Sequence, residues 1–74
     1  MPRLLRMDVS GHSTLAEWTR GDQAAFDVAA EAFREQLDSG YIGVLDQGNG
    51  EAMQIRDLPR DAELVIMRRP IAGG

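Results

Sequence analysis

The chain has no cysteine and no lysine, one histidine, one tryptophan, one tyrosine and two phenylalanines among its 74 residues. Without cysteine there is no disulfide, no thiol nucleophile and no thiolate metal ligand, so hydrophobic packing has to hold the fold by itself. Without lysine all eight basic residues are arginines: Arg3, Arg6, Arg20, Arg34, Arg56, Arg60, Arg68 and Arg69. Long apolar runs are missing too. Met1 to Met7 is broken by Pro2, Arg3 and Arg6, and no segment approaches the ~20 apolar residues a membrane helix needs. There is no signal-like start, and the expectation is a cytoplasmic protein with no membrane partner. Basic charge is also scarce: the net charge of -4 lacks the positive footprint that phosphate binding requires, which argues against nucleic acid as a partner.

What is present is the composition of one small folded domain. The chain is 43% hydrophobic and 27% charged, which is too apolar for a disordered segment. At this length it has room for one core and no deep enclosed active site.

Hydrophobic periodicity divides the chain into six elements. "RLLRMDV" (3–9) alternates as a strand that sends Leu5, Met7 and Val9 to one face, Ser10-Gly11 supplies a turn, and "HSTLAEW" (12–18) returns as a second strand. The inward face of that second strand is ambiguous, Leu15 pointing one way and Ala16 and Trp18 the other. "TRGD" (19–22) breaks it and offers Thr19 and Asp22 as helix caps. From Gln23 to Ser39, Phe26, Ala29 or Ala30, Phe33 and Leu37 recur at three- and four-residue steps. They form one apolar stripe, with Asp27, Glu31, Arg34, Glu35 and Asp38 toward water and Gly40 closing the helix. "YIGVLD" (41–46), the turn "QGNG" (47–50) and "EAMQI" (51–55) read as a second hairpin. "RDLPRDA" (56–62) reads as a polar connection, and "ELVIM" (63–67), the most apolar run, as a central strand. The expected fold is α+β, in the order ββαβββ. One helix lies on one face of a mixed sheet, and the last strand runs parallel to the first.

After that strand the chain reads "RRPIAGG". Pro70 cannot donate to a ladder and Gly73-Gly74 cannot pack, so residues 1–69 are expected to form the domain and 70–74 a flexible tail. With that element order and that ending, the sequence resembles the ubiquitin-like β-grasp superfamily over its whole length. "PIAGG" looks like the ends of bacterial sulfur carriers, whereas Arg68-Arg69 is more reminiscent of ubiquitin-type modifiers. The resemblance implies a protein that is not an enzyme and binds no cofactor. The Gly74 carboxylate would be adenylated by a partner activating enzyme that uses ATP, and Gly73 and Gly74 would thread a narrow channel. Arg68, Arg69, Pro70 and Ile71 would dock the tail. Other implied partners are target proteins, a conjugating enzyme and a deconjugating protease. No maturation step is expected, the diglycine being already at the end. The alternative is a sulfur carrier whose C-terminus becomes a thiocarboxylate for cofactor biosynthesis, and a second is a β-grasp binding module whose diglycine is incidental.

Normal alternation of the last strand sends Val65 and Met67 to the helix and Ile66 and Arg68 outward. With Ile42 or Leu45 from the third strand, Ile66 would form a partner face. Other constellations give way to duller readings. Asp8, Ser10, His12 and Ser13 lie within one hairpin turn, whereas catalytic triads converge from separated elements. "DQGNGE" (46–51) lacks a full ion-ligand set. Phe26 and Phe33 read as core, and Trp18 as core cover. No catalytic and no metal residues are expected.

Overall fold

A computed structural model describes residues 1–69. Along the chain the elements are β1 (Arg3–Asp8), β2 (Gly11–Glu17), α1 (Gln23–Asp38), β3 (Ile42–Asp46), β4 (Ala52–Ile55) and β5 (Leu64–Arg68). The five strands form one sheet in the spatial order β2-β1-β5-β3-β4. β5 occupies the centre, parallel to β1 and antiparallel to β3, while the two hairpins β1-β2 and β3-β4 flank it. This is the α+β, one-helix mixed sheet of a β-grasp arrangement, and each element starts and stops within one residue of the boundary its periodicity implies.

Local chemistry sets the helix ends. Asp22, in an extended conformation, accepts a hydrogen bond from the Ala25 amide at 3.0 Å, satisfying one of the orphan donors of the first turn. Asp22, not Thr19, is therefore the cap; the Thr19 carbonyl instead accepts from the Asp22 amide at 3.0 Å. At the other end Ser39 closes the last turn and Gly40 follows at φ 97°, a left-handed conformation that costs glycine nothing.

The core lies between α1 and the sheet. Leu4, Trp18, Ala29, Phe33, Val65 and Met67 are each at most 2% exposed, and Phe26, Ala30, Leu37 and Tyr41 pack around them. Phe33 explains Gly43. Any Cβ added at Gly43 would sit 2.5 Å from the Phe33 ring, so the ring lies directly on bare backbone of β3. The segment before β5 differs from its polar reading. Leu58 and Ala62 are buried members of the core cluster, so the 56–62 connection closes one end of the helix–sheet interface instead of merely linking strands. Its polar residues Arg56, Asp57, Arg60 and Asp61 stay exposed, and two apolar side chains in seven residues were too few to show a period.

The face assignment of β1 has an unexpected outcome. Leu4 belongs to the helix–sheet core cluster, whereas Leu5, itself buried, alternates onto the opposite face, and Met7 and Val9 are exposed. The β1-β2 pairing shifts register between Leu4 and Leu5, leaving Leu15 as the extra residue between Thr14 and Ala16, and Leu15 and Ala16 both pack against the core cluster that holds Trp18, so neither of the two expected faces of β2 excludes the other.

Candidate functional site

The sequence directs attention to the end of β5 and the sheet face away from the helix. In β5, Val65 and Met67 are fully buried toward α1, so Ile66 and Arg68 face outward. Ile66 lies opposite Leu5 of β1 and Val44 of β3, and Arg68 lies opposite Ile42. Leu5, Ile66, Val44 and Ile42 thus share the outer face, with Arg68 at its edge. Leu45 does not belong to it. It pairs with Val65 and packs against the core, because Gly43 must face Phe33 and the two-residue period then puts Leu45 on the same side. Val44 takes the place assigned to Leu45. The sequence held half of the signal, since a glycine in a strand marks a close approach, but only the fold shows that the approaching group is Phe33 and so which way the neighbours of Gly43 point.

Arg68 and Arg69 are adjacent in sequence and separate in space. Arg68 edges the outer face, whereas the Arg69 guanidinium lies 5.2 Å from the centre of the Tyr41 ring, and Tyr41 packs against the core on the helix side. A second guanidinium, that of Arg6, lies 5.9 Å from the same ring. Arg6 comes from the helix-facing side of β1 and has Asp8 at 3.6 Å as its counter-charge. Its buried Nε and the buried Oε1 of Gln36 have no hydrogen-bond partner among the described residues. Periodicity gave no hint of this polar corner, because the strand pattern assigns faces but not the length of helix that covers them.

The turns carry ordinary turn chemistry. Asp8 Oδ1 accepts from the Ser10 hydroxyl at 2.7 Å and the Ser10 amide at 2.9 Å. These bonds, with a smaller pull from Arg6 and against a slight opposing effect of burial, hold the Asp8 carboxyl below its ordinary value. Asp46 Oδ1 accepts from the Gly48 amide and Asn49 Oδ1 from the Glu51 amide, so these oxygens are engaged in closing the β3-β4 turn. Among the described residues no group of three or more potential metal-ligating side chains is gathered, and no helix is long and apolar enough to cross a membrane. Gly73, Gly74, Pro70 and Ile71 lie outside the described residues. No family model, curated protein or solved structure matches the chain.

Proposed function

We propose that this protein is a ubiquitin-like modifier, itself a substrate and not a catalyst. The Gly74 carboxylate oxygen attacks the α-phosphate of ATP on a partner activating enzyme, releasing pyrophosphate and leaving an acyl-adenylate. An amine of a target protein then displaces AMP to form an amide. The observation that supports this reading is the central position of β5. The strand paired on both sides within the sheet is the one whose sequence continues into "RRPIAGG". Glycine at both final positions avoids side-chain clash in a narrow site, and Pro70 reduces the entropy lost on docking. A cytoplasmic location, a conjugating enzyme and a deconjugating protease belong to the same proposal.

The sulfur-carrier reading shares the adenylate and is supported by "PIAGG". In it a sulfur nucleophile displaces AMP and leaves a thiocarboxylate. Intact mass of the chain after incubation with a candidate activating enzyme, ATP and either sulfide or target protein separates the two. An amide adduct supports the modifier, and replacement of one oxygen by sulfur without adducts supports the carrier. An unchanged mass in every case overturns both in favour of a plain binding module. Gly73→Trp is expected to abolish either product with no change in melting temperature, since glycine brings no side chain to a core and terminal residues rarely carry stability. A large drop in melting temperature would contradict the reactive-arm reading.

A further inference from the structure

The last ladder pair between β3 and β5 is Ile42 with Arg68. Extending that antiparallel register by one residue sets Tyr41 opposite Arg69, and the two side chains do meet, with the guanidinium 5.2 Å from the ring centre. This is a cross-strand pair made by side chains beyond the last pair that the backbone makes. Tyr41 is itself held. Its amide donates to the Gln36 carbonyl at 3.0 Å in the turn that closes α1, and its ring packs on the core. The chain therefore meets a fixed aromatic face at the point where it leaves the sheet. Arg6 approaches the same ring but keeps Asp8 as counter-charge.

We propose that Tyr41 is a positioning residue for the outgoing chain. By seating the Arg69 guanidinium on the helix side, it carries the alternation of β5 one residue beyond the ladder and leaves Arg68 as the basic group presented beside the outer sheet face. Resting on the reading of Gly74 as the activated group, this makes the basic pair non-equivalent. Arg68 meets a carboxylate of the activating enzyme directly, whereas Arg69 acts through Tyr41 by limiting the directions in which residue 70 and beyond can start. A guanidinium over an exposed ring is worth enough to shift the local opening equilibrium by roughly 2- to 5-fold.

The test uses the whole chain, four variants at Tyr41 and Arg69, one of them double, and Arg68→Ala. In NMR spectra the Arg69 side-chain protons are expected upfield of random-coil positions from the ring current. Tyr41→Phe should keep that shift and Tyr41→Leu should lose it, with amide exchange at Arg69 rising roughly 2- to 5-fold in Tyr41→Leu. With the activating enzyme identified by the mass experiment, ATP–pyrophosphate exchange should show a raised KM for Arg68→Ala. Tyr41→Leu, Arg69→Ala and their combination should give equal, smaller effects, and Tyr41→Phe should behave as the unmodified chain. Random-coil shifts for Arg69 in the unmodified chain, loss of the shift in Tyr41→Phe, or additive effects of Tyr41→Leu and Arg69→Ala would each overturn the proposal. The NMR arm needs no enzyme, so a chain that is never adenylated overturns the functional reading without obscuring whether the Tyr41–Arg69 seat exists.

Discussion

The two ends of the helix–sheet interface are built on different principles. At the end where α1 begins, Trp18 is 1% exposed and meets Phe26 edge to face, with ring centres 5.8 Å apart at 73°. Its indole N–H donates to the Arg60 carbonyl at 3.2 Å, the Arg60 guanidinium lies 4.9 Å from the Phe26 ring, and Arg60 also bonds the Gln23 side chain. Leu58 and Ala62 fill the space below. At the end where α1 stops, Tyr41 is only half-buried, two guanidiniums share its ring, the buried Gln36 Oε1 has no hydrogen-bond partner among the described residues, and the buried Arg6 Nε has only its 3.6 Å ion pair with Asp8. A large aromatic with its polar tip satisfied makes the first end a source of stability. A buried acceptor without a hydrogen bond makes the second a weak one. The end from which β5 leaves the domain is thus the end least invested in holding it together.

Substitutions that compare the two ends should fall in a definite order. Trp18→Ala should destabilise by about 3–5 kcal/mol, as should Phe33→Ala in the centre of the interface, since each empties a fully buried aromatic site. In a domain of this size that approaches the whole stability. Thermal melts beside the exposed control Glu31→Ala, expected within about 0.5 kcal/mol, would check both, and similar losses in all three would contradict the helix face. Gly43→Ala should cost about 1–3 kcal/mol, because the Phe33 ring must shift to admit the new methyl; denaturant midpoints at unchanged slope would measure it. Tyr41→Leu should cost about 1 kcal/mol or less, the ring being half-buried. A loss equal to that of Trp18→Ala would erase the contrast between the ends. Apart from the exposed control, the smallest effect is expected from Gln36→Leu, within about 1 kcal/mol of neutral and of either sign, because it removes a buried acceptor that makes no hydrogen bond among the described residues.

The absence of lysine makes a separate prediction about conjugates. Arginine stays protonated at neutral pH and is a poor nucleophile, so none of the chain's own side chains offers an amine to an activated Gly74. If the protein acts as the proposed modifier, targets should carry single units, with any polymer confined to linkage through the α-amine of Met1, and a ladder linked through side chains of this protein in a mass-spectrometric digest would contradict that.

Much of the fold was legible because it rests on short-range rules. Alternation in "ELVIM" and "YIGVLD", the three- and four-residue steps from Phe26 to Leu37, and glycine in the turns each depend on neighbours a few positions away. The faces of β5 were legible for the same reason, since both neighbouring strands force one alternation upon it. Leu45 was misplaced because a five-residue strand with apolar residues at Ile42, Val44 and Leu45 has no unique face. Leu58 and Ala62 were read as loop because burial in an irregular segment leaves no periodic trace.

The sequence by itself determined which elements form, their order, a helix cap within Thr19 to Asp22 and the loss of strand pattern close to Pro70, all of them properties of local backbone chemistry and spacing. Tertiary structure alone decided that Arg69 meets Tyr41, that Phe33 rests on Gly43, and that Arg6 meets Tyr41 across the central strand. Each of those contacts joins residues that the chain separates. Only the packed sheet and helix bring such groups within range of one another.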